Sequence, residues 1–243
     1  MEGNWRKESL FVLRQELELY DTYQRRMAEC DRELESELKQ WPRRDAGPDP
    51  EVGKDGCAES KQKREKKPTG NAPQFGLAGE LERITGVDLT KIDGIDVMTA
   101  QTIITEAGLD MSRWKTEAHF VSWLGLCPAN EKSGGKVLKR STRHVMNRIA
   151  TALRMSASTL LKSQTYLGAQ YRRLRTRLGA PKAITAMANR LARLVYRVLK
   201  HGQQYVDKGL QYYEEKYRAQ QIRLLHKKAL QLGFQLTQVN VAP

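Results

Sequence analysis

A serine followed directly by two glycines is the part of this chain whose residue types could support covalent chemistry. Ser133 precedes Gly134 and Gly135, and Lys132 and Lys136 flank the three residues. Small residues leave the hydroxyl unshielded and let backbone amides approach an anion. A serine hydroxyl among phosphate-binding groups can attack a phosphodiester and form a phosphoserine link. The same residues are typical of an ordinary turn, and taken alone they favour a turn over catalysis.

Cations continue beyond this serine and predict contacts with a phosphate backbone. Lys136 is followed by Lys139, Arg140 and Arg143. Lysine and arginine contacts to phosphate supply affinity for nucleic acid without selecting a sequence. The glycine spacing does not match a Walker loop, which excludes that class of nucleotide-binding site.

A short apolar segment around Gly94 is the second candidate site. The segment from Leu89 to Asp96 resembles a helix-hairpin-helix element, with an apolar-glycine-apolar turn between two short helices. Glycine permits the tight turn, and the free N–H groups of the following helix can hold a phosphate, which makes Gly94 and Ile95 candidate DNA contacts. Asp96 stands where a second glycine is usual, and its charge would repel a phosphate. A purely structural corner therefore remains an equal alternative.

Basic faces on two later helices are the third candidate. Arg190, Arg193 and Arg197 recur at intervals of three and four residues, opposite an apolar face. Arg148 and Arg154 lie on an earlier predicted helix and are further candidate nucleic-acid contacts. One such stripe is usually a solvated surface, whereas several without compensating acids favour nucleic acid.

The whole composition agrees with a polyanionic partner. The 243 residues include 42 lysines and arginines against 28 aspartates and glutamates, which leaves a net charge of +14. No apolar run approaches the roughly 20 residues that span a bilayer, and no signal peptide is evident. The three cysteines lack metal-ligand spacing, and the carboxylates do not form the wide-spaced set of a nuclease metal centre. The sequence therefore predicts a cytoplasmic protein without a metal site of its own.

Three regions are predicted along the chain. Residues 1–41 form a coiled-coil-like helix, because Leu13, Tyr20, Met27 and Leu34 recur every seven residues. A second apolar seam beside them lapses, so self-association, a helical hairpin and packing on another domain all remain open. Residues 42–74 are rich in glycine, proline and lysine and predict a flexible basic linker.

Residues 75–243 predict a helical domain, which makes the fold class mainly α. The expected helices cover about 77–84, 97–107, 117–124, 142–162, 181–200 and 213–232. In the third of these, Phe120, Trp123 and Leu124 are expected to face inward. Strand signals are limited to residues 136–138 and 234–236.

Taken together, these features resemble the IS one-hundred-and-ten family of bacterial insertion-sequence transposases, which are bridge-RNA-guided recombinases. The resemblance is carried by residues 5–31, 84–88, 92–95, 119–128, 133–136, 147–148, 153–154 and 179–186. It implies that Ser133 is a nucleophile for DNA strand cleavage and exchange, in a loop shaped by Gly134 and Gly135. It also implies DNA and a structured guide RNA as partners, while the long N-terminal helix itself suggests a homo-oligomer.

The same resemblance implies a RuvC-like domain that binds magnesium and lies upstream of the region covered here. The chain is therefore expected to lack that domain and to be inactive alone. A non-catalytic DNA- or RNA-binding remnant of a transposase is the first alternative. A helical interaction protein with incidental charge is the second.

Overall fold

The protein is mainly helical, as expected, in a computed structural model that describes residues 6–44, 73–143, 145–202 and 209–235. The helices are α1 Lys7–Gln40, α2 Leu77–Thr85, α3 Val97–Ala107, α4 Glu117–Trp123, α5 Arg148–Thr159, α6 Tyr166–Leu178, α7 Ala180–His201 and α8 Gly209–Gln231. Single 3-10 turns occur at Leu89–Lys91, Met111–Arg113 and Leu160–Lys162. Two strands, β1 Pro128–Ser133 and β2 Lys136–Thr142, form an antiparallel hairpin.

Helix α1 is exposed over its first half and packs only near its end. Leu13 and Leu17 are 49% and 54% exposed, whereas Leu38 is 4% exposed and lies in the core. Arg83 of α2 donates hydrogen bonds to the carbonyl oxygens of Leu38 and Trp41, at 2.7 and 2.9 Å. These bonds satisfy acceptors that the end of a helix leaves open, and they tie α1 to α2. The apolar side chains of α1 are therefore exposed in its first half and buried near its end.

Helix α7 is the centre of the globular part. It packs against α4, α5 and α6, while α3 packs against α5. Met187, Leu191 and Val195 on one face of α7 are completely buried. Pro181 lies in the first turn, where its missing N–H costs no hydrogen bond. This helix accordingly organises the elements that carry the candidate site residues.

Strand β1 and helix α6 were not predicted from the sequence, whereas β2 begins at the predicted strand signal of residues 136–138. Residues 128–133 contain no β-branched or aromatic side chain, so they carry little intrinsic strand preference. Because β2 extends to Thr142, α5 begins at Arg148 rather than near 142, and Asn147 caps it by accepting a 3.1 Å hydrogen bond from the Ala150 amide. Packing on α7 buries Leu167 and Tyr171 of α6, although four arginines stand in its sequence.

The remaining expectations concern the linker, the C-terminal strand signal and membrane-spanning helices. Most of the predicted linker, 45–72, lies outside the described residues. Phe234 and Gln235 follow α8 without forming a strand. Within the described ranges, no helix is both long and apolar enough to cross a membrane.

Candidate nucleic-acid interface

Ser133 lies at the tip of the hairpin. It is exposed and pairs with Lys136 across a turn made of Gly134 and Gly135. Both glycines have positive φ, at 54° and 77°, which a two-residue hairpin turn requires. A Cβ atom built on either glycine would have no other atom within 4 Å. The turn is therefore open to solvent, and its backbone is accessible to a large ligand.

The cations of β2 follow the serine along the same hairpin. Lys136 is exposed, and Lys139 and Arg140 lie opposite Glu131 and Asn130 in the strand register. Six residues of strand separate the tip from the base by about 17 Å. The hairpin thus carries a hydroxyl at its end and basic residues along one strand.

The base of the hairpin is joined to α4 through Arg143. One guanidinium nitrogen of Arg143 donates to the carbonyl oxygen of Ser122 at 2.7 Å and lies 3.2 Å from the Ser122 hydroxyl. Helix ends leave carbonyl oxygens open, and a charged donor is a strong partner for them. Arg143 therefore positions the hairpin, in addition to its predicted contact with nucleic acid.

The glycine turn of the second candidate faces another helix. Gly94 has a φ of +84°, and a Cβ atom built on it would lie 2.8 Å from the carbonyl oxygen of Ser156 in α5. Ile95 is 3% exposed. Asp96 caps α3, with its carboxylate accepting a 2.8 Å hydrogen bond from the Thr99 amide. These contacts give the turn a packing role, and DNA contact by Gly94 and Ile95 stays a prediction.

The arginine stripe on α7 lies against α4, where Glu117 accepts from two of its members. Arg193 donates to Glu117 Oε1 at 2.8 Å. Arg197 donates from both Nε and Nη2, the second bond measuring 2.9 Å. These bonds, above all those from Arg197, lower the pKa of the Glu117 carboxyl and raise that of Arg197. Two arginines share one carboxylate, so a positive charge remains at this contact.

The other predicted arginines differ in their engagement. Arg190 lies over the Tyr166 ring, with its guanidinium carbon 5.7 Å from the ring centroid. Arg148 donates to Glu106 at 3.0 Å, and its side chain is 81% exposed. Arg154 is half-buried and makes no hydrogen bond or ion pair within the described part of the chain. Arg154 is thus the one of these three whose charge is not directed at a protein group there.

A long stretch of sequence without acidic residues is a further signal of a nucleic-acid interface. Residues 132–206 contain seventeen lysines and arginines and no aspartate or glutamate. Several exposed cations from this stretch have no ion pair or hydrogen bond with another described residue; they are Lys136, Lys162, Arg175, Arg177 and Lys182. The available positive charge therefore lies on β2, around α6 and at the start of α7.

Most of these candidate sites, but not the arginines of α7, lie in a segment that matches a known protein family. Residues 88–172 match the profile of the Transposase IS116/IS110/IS902 family. The match covers the Gly94 turn, α3, α4, the hairpin and α5, and it supports transposition or recombination as the general function. Comparison with curated proteins finds no match for the chain. We refer to residues 88–172 as the transposase-like segment.

Potential metal ligands are dispersed through the described residues. No three histidine, cysteine, aspartate or glutamate side chains among them are grouped so that they could hold a metal ion. Within the transposase-like segment, Asp88 and Asp96, which lie on either side of the Gly94 turn, serve as helix caps. Of the cysteines, Cys30 is exposed and Cys127 half-buried, both as free thiols, and Cys57 lies outside the described ranges.

The ion pairs of Glu117 predict a specific pH dependence of stability. Folding lowers the pKa of Glu117. These ion pairs therefore stabilise the protein at pH values above 4.5, the ordinary pKa of a glutamate, and the contribution is lost as the pH falls through the lowered pKa of the folded protein. Glu117→Gln is expected to lower the free energy of unfolding at pH 7 by at most about 1 kcal/mol, since both arginines are more than a third exposed.

Urea unfolding between pH 7 and pH 3 would measure this difference, which should shrink toward the acid end. Glu106→Gln is the matched control, since its partner Arg148 is much more exposed and the effect should be smaller. A difference between wild type and Glu117→Gln that grows as pH falls would contradict the assignment.

Proposed function

We propose that this chain acts in DNA transposition, binding DNA and supplying Ser133 as the nucleophile for strand cleavage and exchange. The observation that carries the proposal is the position of Ser133. Its hydroxyl is exposed at the open tip of a hairpin, inside a segment that matches a transposase family. Glu131 is the one acidic residue in the hairpin sequence 128–142, and the acid-free stretch begins directly after it, so a negatively charged strand meets little repulsion from Ser133 onward.

The proposed step exchanges one phosphate ester for another. The Ser133 oxygen attacks the phosphorus of a DNA phosphodiester, and a bond forms between them while the bond from phosphorus to one sugar oxygen breaks. The serine loses its proton, and the departing sugar oxygen gains one. Attack by a sugar hydroxyl of another DNA end reverses the step, releases Ser133 and joins the strands. The exposed Lys136 lies where it can offset charge on the phosphoryl oxygens.

Magnesium does not fit the described residues beside the serine. The turn offers Gly134, Gly135 and Lys136, which bear no carboxylate oxygen, whereas magnesium is usually held by carboxylates and phosphates. We therefore derive no step through a metal ion. In this proposal, activating carboxylates come from a RuvC-like domain that acts together with the chain.

Non-catalytic binding of DNA or RNA is the second candidate function. It is favoured by the exposed cations around α6 and the start of α7, which lie apart in sequence from Ser133 and could hold a phosphate backbone without chemistry. A structured guide RNA would use the same kind of contact. Affinity that falls steeply with salt is expected in both cases and would be absent from a purely protein-binding module.

Covalent trapping tests the proposal. The purified chain would be mixed with labelled element-end DNA, a guide RNA from a relative and magnesium, with and without a separately expressed RuvC-like domain. A denaturation-resistant protein–DNA adduct that appears with the added domain supports the nucleophile. Tight, salt-sensitive binding with no adduct under any condition supports the non-catalytic alternative and overturns the proposed chemistry.

We also propose that the chain forms a homo-oligomer through α1. This helix carries nine acidic and six basic side chains, which suits a protein partner better than a phosphate backbone. Its exposed apolar seam includes Leu10, Leu13, Leu17 and Tyr20 at alternating spacings of three and four residues. A second copy of the same seam would cover these side chains.

A charge placed in the seam should disrupt this assembly. Leu17→Glu is expected to weaken self-association about tenfold or more, because a carboxylate would be buried without a partner. Sedimentation across a concentration series would measure the change. Gln15→Glu adds the same charge off the seam and should leave association intact. Equal effects of the two variants, or a wild type that is monomeric at every concentration, would contradict the proposal.

A further inference from the structure

Trp123 is unexpectedly exposed at the end of α4. It was expected to face inward with Phe120 and Leu124, yet it is 38% exposed while both of those residues are completely buried. Its ring is supported from the protein side by Trp114, whose centroid is 5.0 Å away, and by Phe120 at 5.9 Å. The indole is thus a fixed aromatic surface rather than a loose side chain.

Two guanidinium groups are held close to this surface. The exposed Arg113 lies over Trp114, with its guanidinium carbon 5.3 Å from that ring, and Trp114 is in contact with Trp123. Arg143 is bonded to Ser122, the residue that precedes Trp123. Neither arginine forms an ion pair with a described carboxylate. The Asp110 carboxylate lies within electrostatic reach of Arg113 but forms no ion pair with it, so both guanidinium groups can still contact a phosphate beside the exposed ring.

We infer that Trp123 is a stacking site for an unpaired nucleobase, with Arg113 and Arg143 contacting the adjoining phosphates. An exposed aromatic ring beside cationic groups is the arrangement by which proteins bind single-stranded nucleic acid. In a duplex each base already stacks on its neighbours, so the ring offers a gain only to a base that has left the stack. Trp123 lies at the base of the hairpin whose tip carries Ser133. This inference rests on the proposed function, and it adds that the two DNA strands separate at this surface.

Binding of fluorescein-labelled oligothymidylate and of a duplex of the same length, measured by anisotropy, tests the inference. Trp123→Ala is expected to weaken single-strand binding about tenfold and to leave duplex binding unchanged. Trp123→Phe should retain most of the affinity, because a smaller ring still stacks. Leu178→Ala is the matched control, since it removes an apolar side chain with the same 38% exposure from α6.

Three other results would overturn the inference, and they are distinguishable. If wild type binds both oligonucleotides and Trp123→Ala changes neither affinity, the stacking site alone is wrong. If Trp123→Ala weakens both affinities equally, or Trp123→Phe behaves like alanine, the ring serves the fold. A thermal melt of each variant identifies that case directly. If wild type binds neither oligonucleotide, the proposed function fails together with the inference.

Discussion

Replacing Ser133 with alanine is expected to reduce formation of the covalent protein–DNA adduct by about a thousandfold or more, as removal of a nucleophile does in other enzymes. DNA affinity should be unchanged, because phosphate contacts come from cations rather than from the hydroxyl. The fold should also be intact. Ser133 is exposed, and its hydroxyl makes no hydrogen bond to another described residue. The measurement is adduct yield on a denaturing gel with the RuvC-like domain supplied, beside an anisotropy titration of the same DNA.

Ser141 provides the matched control for this substitution. It lies on β2 of the same hairpin, is exposed, and places its hydroxyl 3.5 Å from the carbonyl oxygen of Ala129. Ser141→Ala should form the adduct as well as wild type. An adduct that survives Ser133→Ala but not Ser141→Ala would transfer the nucleophile to Ser141. If the adduct forms in both variants, neither Ser133 nor Ser141 is the nucleophile.

Replacing Gly94 with alanine is expected to lower the free energy of unfolding by about 2–5 kcal/mol, the second large effect. A φ of +84° is unfavourable for any residue with a Cβ atom, at a cost of about 1–2 kcal/mol. The new methyl group would also lie 2.8 Å from the Ser156 carbonyl oxygen. That oxygen belongs to the backbone of α5, so relief requires the helix to move, and overpacking of this kind costs about 1–3 kcal/mol. Urea unfolding followed by circular dichroism would measure the sum.

Gly134→Ala separates the two contributions. Gly134 also has positive φ, at 54°, but no atom lies within 4 Å of a Cβ built on it. Its replacement should therefore cost only the conformational part, about 1–2 kcal/mol. Equal losses in the two variants would show that α5 does not press on the Gly94 turn. The Gly94 result also bears on function, since a turn packed against α5 has less surface to offer DNA.

Local sequence signals were sufficient to predict most of the helices. The seven-residue apolar spacing of α1 and the proline after Trp41 predicted one long helix within residues 1–41, and α1 spans Lys7–Gln40. Both effects act between residues a few positions apart, through side-chain periodicity and backbone sterics. The charge surplus likewise depends on composition alone. It favours nucleic acid, in agreement with the transposase match of residues 88–172.

Strand β1 of the hairpin could not be predicted from local sequence signals. Residues 128–133 have the composition of a loop, and they form a strand because the glycine turn brings β2 alongside and pairs their backbone groups. The sequence singled out Ser133 and its glycines, and only the strand pairing places that hydroxyl at an exposed tip. The outcome depends on a partner strand, which no single-residue preference encodes.

Two features of the candidate interface were decided by tertiary structure alone. Arg193 and Arg197 formed an apparently available stripe, but α7 packs on α4 and brings Glu117 to them from 76 and 80 residues away. Trp123 shared a helical pattern with buried neighbours, but the neighbouring aromatic rings occupy only one side of it. Sequence patterns alone were enough to predict most of the helices, the concentration of positive charge and the serine that stands beside two glycines. Which charges are neutralised and which ring meets solvent depended on contacts between distant segments, because burial and ion pairing are properties of the packed chain.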